Sequence, residues 1–429
     1  MHHNRSRRSS VLPGFSGSSR LAACALTACV LAETGGFIAA APIAGAREPD
    51  RECATAHPSP LAPEPSEDQR AYRSQLHSFA TGEGIKVAVI DTGVAHHDQL
   101  PNLTAGADLV TPEEPDPHRD CDLHGTVVAG IIAGHDIGIA PRSEIRAIRQ
   151  TSAHYRQYDG TAGESDEDST TGSLDTLASA IDHAVEDNAQ VINISVVSCV
   201  PAKTAQRIDS SRLDEALGHA EDAGAVVIAA SGNISSGTCE EGDHVFPADS
   251  PTVLSISAQE DAHALAEYSL TPADGPQLSA HGFVPLALNP AGGWADGKNQ
   301  QDSLAQFHGT SFAAPVVSGT AALLAERYPD ASAADIRQRL LSAGEPGNGF
   351  IARRPDPYRW RICRTRARSD HPTRQRRTLP SGEPYRVGDR RVSPAADRPD
   401  GCPRATPSQV GLAADLQSFV PVQARGFWQ

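Results

Sequence analysis

Residues 86–91 read KVAVID, a short unbroken apolar run closed by a carboxylate. Runs of this kind belong to strands buried on both faces of a parallel sheet. Three more follow the same form: QVINIS at 190–195, AVVIAA at 225–230 and TVLSIS at 252–257. Between them lie helical periodicities. Leu174, Leu177, Ala178, Ile181, Ala184 and Val185 recur at spacings of three and four, as do Leu213, Ala216, Leu217 and Ala220. A long helical pattern from Ser311 to Arg327 and a shorter one from Ser332 to Ala343 close the regular part, and the periodicity vanishes after Gly344. The alternation predicts an α/β fold, a doubly wound and mainly parallel sheet with helices on both faces. Ligands of such sheets bind beyond the carboxyl ends of the strands, which draws attention to Asp91, Ser195 and Asn233.

The chain of 429 residues is long enough for two or three domains of ordinary size, or for one large α/β domain with tails. Its charge is unevenly spread: of the net −16, residues 1–46 carry +3 and residues 350–429 carry +9, which leaves −28 for residues 47–349. Such a body repels nucleic acid and anionic membrane. Residues 1–46 read as an export signal, with Arg5, Arg7, Arg8 and Arg20, an apolar stretch from Leu21, and a small-residue cleavage site at Ala44-Gly45-Ala46. Leu26-Thr27-Ala28-Cys29 has the form of a lipoprotein box, behind an apolar run that is short for one. Residues 47–82 are rich in Pro and polar residues and read as an extended segment. A domain is expected over 83–349 and a disordered Arg- and Pro-rich tail over 350–429. Cys53, Cys121, Cys199 and Cys239 form an even set in an exported domain, which predicts disulfides with three pairings open. No close-spaced Cys pair suggests zinc.

Three motifs carry chemistry, in the order Asp, His, Ser. Asp91 closes VAVID, His124 opens the helical stretch HGTVVAGIIAG, and Ser311 opens the helix of HGTSFAAP. Acyl transfer needs a hydroxyl made nucleophilic by an imidazole, and a carboxylate that holds the imidazole in one tautomer. Asp-Thr-Gly also occurs in aspartic proteases, but those require a second such loop, and the sequence has none. Asn233, closing VVIAASGN, is the candidate donor to a tetrahedral oxyanion; Asn193 is the poorer one because it lies within its strand run. Gly309 and Thr310, beside Ser311, are expected to face the substrate. His96, His97 and Asp98 read as a solvated loop, and neither a metal nor a cofactor is expected.

These residues resemble the subtilisin-like serine proteases and, among them, the mycosins, proteases attached to actinobacterial type VII secretion systems. The similarity runs from about residue 82 to residue 345. The mycosin likeness lies in Cys53, the DCD of residues 120–122 before His124, AIRQTS at 147–152, Cys199 after NIS, and Cys239. The resemblance implies an exported serine endopeptidase acting on polypeptides, with a type VII secretion membrane complex as partner. It implies the pairings Cys53 with Cys121 and Cys199 with Cys239, an N-terminal extension wrapped on the domain without blocking the site, and Ile194 and Ser195 as the edge along which substrate lies. Where general subtilisins have glycines, Val196 and Val197 follow, so a narrower cleft is expected. A freely secreted protease and a secretion scaffold with secondary catalytic activity are the alternatives.

The C-terminal part departs from the mycosin pattern. A Gly-rich turn, a further helix, a Pro-rich linker and a membrane span are expected of the family and not seen. Residues 351–404 instead hold fifteen Arg and no Lys. A disordered arm, or a reading-frame slip after about Gly349, accounts for that composition.

Overall fold

The computed structural model describes residues 47–156, 170–234, 239–261, 264–271, 275, 277–300, 303–346 and 353–354. The expected signal at 1–46, the acidic residues 157–169 and the tail beyond 354 lie outside them.

The central sheet contains β1 (Lys86–Asp91), β2 (Leu103–Asp108), β3 (Glu144–Arg149), β4 (Val191–Ile194), β5 (Val226–Ala230), β6 (Val253–Gln259) and β7 (Gln277–His281). Their order is β7-β6-β5-β4-β1-β3-β2, and every neighbouring pair is parallel. Arg353–Arg354 adds to β7, and Glu345–Pro346 pairs with it, so strand pairing continues past residue 349. The four runs read from the sequence are β1, β4, β5 and β6. The other three have sequences broken by Gly or by polar residues, LTAGAD, EIRAIR and QLSAH, and carry no such signal.

Among the described residues, six helices of nine residues or more cover the sheet: α1 (Glu67–His77), α2 (Gly125–Ala133), α3 (Leu174–Glu186), α4 (Ser211–Asp222), α5 (Thr310–Arg327) and α6 (Ala333–Ala343). Val87 and Val89 pack with α1, α2, α5 and α6, whereas Ala88 and Ile90 pack with α3 and α4. The strand's two-residue period thus divides one apolar run between two cores. Strand order reverses at β1. The chain goes from β1 to β2 and β3 on one flank, then crosses to β4 through β7 on the other, so a crevice opens at the carboxyl ends of β1 and β4.

The reading of residues 47–82 as wholly extended is corrected. Ala56–Ser59 forms a strand antiparallel to Trp294–Gln300, and α1 follows. Ser66 and Gln69 make a reciprocal capping box, Glu67 and Asp68 favour the positive helix start, and Tyr72 and Leu76, one turn apart, are buried in the core. The capping signal, Ser followed three residues later by Gln, was present directly after the last proline. Cys53 is bonded to Cys121 and Cys199 to Cys239, the pairings that the resemblance implies. Among the described residues no helix is long and apolar enough to cross a membrane.

Candidate active site

β1 ends on Asp91, which is fully buried. The Thr92 amide donates to Asp91 Oδ1 at 2.8 Å, and His124 Nδ1 lies 2.7 Å from the same oxygen. Two glycines allow this approach of the α2 start to the β1 end. A Cβ on Gly125 would stand 2.0 Å from the Gly93 carbonyl oxygen, and Gly93 has a φ of +106°, with its own Cβ position 2.5 Å from the Arg119 oxygen. Neither backbone oxygen could yield.

The DCD before Leu123 and His124 holds this loop to three parts of the molecule. Asp120 Oδ1 accepts from Thr92 Oγ1 at 2.8 Å and from the His124 amide at 3.3 Å; its Oδ2 accepts from the amide and hydroxyl of Thr126 at 2.9 and 2.7 Å. Asp120 therefore supplies the capping acceptor that His124, at the cap position of α2, does not provide. Cys121 is bonded to the extension through Cys53. Asp122 accepts from Ser152 Oγ at 2.6 Å and from the Ala153 amide at 2.9 Å.

Burial alone would push the His124 imidazole down from its ordinary pKa, but the charge and hydrogen bond of Asp91 more than reverse this. Lys298 opposes the rise and Asp120 adds to it, and the net shift is upward. Burial raises the Asp120 carboxyl, against the hydrogen bonds from Thr126 and Thr92.

Ser311 is the second residue of α5, and the ring of its neighbour Phe312 lies 5.1 Å from the His124 ring, centre to centre. Among the described residues no hydrogen bond joins Ser311 to His124; such bonds are often long until substrate arrives. The Ser311 backbone is held from below. Pro315, four residues on, has no N–H to give to the Ser311 carbonyl, and Ser195 Oγ donates to it instead at 2.8 Å. Ser195 Oγ in turn accepts from Asn193 Nδ2 at 2.9 Å, and Asn193 Oδ1 accepts from Ser318 Oγ at 2.8 Å. Both ends of the Asn193 amide are thus used inside the protein. The sequence reading missed this chain of contacts, though Pro inside a helical pattern was a visible sign of an open carbonyl.

Asn233 Oδ1 accepts from the Thr310 amide at 2.9 Å and from the Thr310 hydroxyl at 3.1 Å. This orients its Nδ2 towards Gly309, where an added Cβ would stand 3.2 Å away. Thr310 does not face the cleft as expected. Its side chain is fully buried, and its hydroxyl also accepts from the Gly232 amide at 3.2 Å, so it acts by fixing Asn233. Ile194 pairs with Ile90 on one side and Ala229 on the other, so the open edge begins after it. Ser195 is likewise buried, its hydroxyl turned to α5. A cleft of about 360 Å³ borders the edge, walled by Leu174, Leu177, Val196 and Val197 with Gln150 and Ser173. In the loop after β1, His97 Nε2 contacts the Gly293 oxygen and its Nδ1 accepts from the Gln99 amide, while His96 stacks on His118. Among the described residues no group of three or more His, Cys, Asp or Glu is arranged to hold a metal.

A parallel sheet of this order, with an aspartate ending its switch-point strand and a histidine and a serine opening two neighbouring helices, defines a subtilisin-like protein. The subtilase family model matches residues 82–367, and the chain belongs to that family. Within it the chain is similar to the mycosins. It is 37% identical to Mycosin-4 of Mycobacterium tuberculosis over 304 residues, 66% of this chain and 65% of that one. The structure of the MycP3 protease from the type VII (ESX-3) secretion system aligns with a TM-score of 0.63 at 32% identity, covering 72% of this chain and 92% of that one. A chain of the periplasmic assembly from the ESX-5 inner membrane complex aligns with a TM-score of 0.65 at 29% identity, covering 79% of this chain and 94% of that one. The chain spans about two thirds of the length of the curated relatives it matches, 65% and 64% for the first two.

Proposed function

We propose that this protein is an exported serine endopeptidase of mycosin type that hydrolyses peptide bonds at the cell envelope, in association with a type VII secretion membrane complex. The observation that carries the chemistry is the 2.7 Å contact between His124 Nδ1 and the buried Asp91 carboxylate, with Ser311 on the next helix start. Asp91 holds the proton of His124 on Nδ1, which leaves Nε2 as the base. Nε2 takes the proton of Ser311 Oγ as that oxygen attacks the substrate carbonyl. The negative charge then developing on the carbonyl oxygen meets the Asn233 amide and the positive start of α5. His124 returns the proton to the leaving amine, and water, activated by the same base, releases the acyl group. An extended polypeptide adding to the open edge after Ile194 would bring an apolar side chain to the cleft walled by Leu174, Leu177, Val196 and Val197.

The secretion role is supported by similarity to MycP3 and to a chain of the ESX-5 inner membrane complex. The latter also favours a second reading, a scaffold whose catalysis is secondary. A fluorophosphonate probe tests the chemistry: it should label the wild-type protein and leave Ser311→Ala unlabelled. Equal labelling, or none of the wild type, would refute it. Secretion that continues with Ser311→Ala would favour the scaffold.

A further inference from the structure

The chain contains only three lysines, Lys86, Lys203 and Lys298, within a body whose net charge is −28. Lys298 stands at the active site. Its Nζ donates to the Asp122 carbonyl at 3.4 Å, two residues before His124, and its charge reaches the imidazole. Lys86 pairs with Glu144, but among the described residues Lys298 has no carboxylate partner. The carboxylate of Asp122 is occupied by Ser152 and Ala153, and Asp296, two residues back on the same strand, is taken by His57 at 2.6 Å.

Lys298 is also held firmly in place. Its strand, Trp294–Gln300, lies between Ala56–Ser59 of the extension, with Ala56 opposite Lys298, and its own return strand, with Ala305 opposite. The neighbouring Asn299 donates from its amide to the Thr55 oxygen at 2.9 Å and from its side chain to the Ala56 oxygen at 3.1 Å. A half-buried lysine on a strand held from both sides, whose ammonium has among the described residues no counter-ion, can take an anion.

Asp122 is anchored on Ser152 and Ala153, and the residues just before them, Gln150 and Thr151, line the substrate cleft. Lys298 is thus held next to the segment that walls the cleft. We infer that Lys298 is a specificity-determining residue that reads an acidic side chain of the polypeptide substrate close to the scissile bond. This rests on the peptidase reading above. The acidic body would otherwise repel such a residue, and Lys298 makes a local exception.

The test uses the full chain and an internally quenched peptide chosen by cleavage from a mixed library. Pairs of that peptide carry Glu or Gln at each of the first three positions on either side of the cut. The wild type should prefer Glu over Gln in kcat/KM by about threefold to fivefold at one of these positions, and less in high salt. Lys298→Met should bring the ratio to about one, and Lys298→Glu should invert it. Each ratio is taken within one preparation, so any misfolded fraction cancels. An unchanged ratio in Lys298→Glu, or no preference in the wild type, would overturn the inference while leaving the peptidase reading intact. A wild type that cleaves no peptide would overturn both.

Discussion

Ser195→Ala removes one hydroxyl that the chain needs because of a proline 120 positions away in sequence. In α5 the carbonyl of Ser311 would ordinarily accept from the amide of residue 315, which is Pro315. Ser195 Oγ fills that place at 2.8 Å, and Asn193 Nδ2 donates to the same hydroxyl at 2.9 Å. Without it a partly buried carbonyl and a buried amide each lose a partner. Leaving a buried polar group unsatisfied costs about 1–3 kcal/mol. In a domain of this size each kcal/mol lowers Tm by roughly 2–4 °C. Thermal unfolding reads the loss of stability, and kcat/KM on a fixed peptide reads the loosened Ser311. The decisive measurement is a double-mutant cycle with Pro315→Ala, which restores an amide to the helix ladder. In that background Ser195→Ala should be milder, with a coupling of at least about 0.5 kcal/mol. Effects that add within about 0.3 kcal/mol would show that Ser195 does not compensate for the proline.

Gly125→Ala would place a Cβ 2.0 Å from the Gly93 carbonyl oxygen and push the start of α2 away from β1. A displacement of about 1 Å there should lower kcat/KM by about a hundredfold or more, with circular dichroism retained, and near-wild-type turnover would refute the packing argument. The acid limb of kcat/KM should follow the raised pKa of His124, with activity appearing as the imidazole loses its proton on going up in pH. Asp120→Asn removes a negative charge that favours the protonated ring and should move this limb to lower pH; Lys298→Met removes an opposing positive charge and should move it to higher pH. Shifts in the same direction would contradict both assignments. The disulfide Cys199–Cys239 closes a stretch of 40 residues, so replacing both with Ser should lower stability by about 4 kcal/mol in denaturant titrations. Insensitivity of the wild type to reductant would argue against it.

Much of the fold was legible because burial leaves a local trace. KVAVID and the runs at 190–195, 225–230 and 252–257 must leave water on both faces, and they became the middle of the sheet. The order Asp91, His124, Ser311 was legible for a different reason: Asp91 closes an apolar strand run, His124 directly precedes Gly125, and Ser311 follows Gly309 by two residues at a helix start. Strands β2, β3 and β7 were not legible, since neighbours in the sheet stabilise residues such as LTAGAD that have little strand character of their own. Helix α1 was masked by the prolines before it, although its capping box was written in Ser66 and Gln69.

The sequence by itself determined which segments are buried, and it supplied the side chains on which the proposed acyl transfer rests. Tertiary structure alone decided their partners: Thr310 turned inward to hold Asn233, Ser195 given to the carbonyl left open by Pro315, Lys298 brought to the histidine loop by a strand clamped to the extension. The reason is one of range. Hydrophobic periodicity is a property of neighbours along the chain, whereas a hydrogen bond between residues 116 apart exists only once strand order has set them side by side.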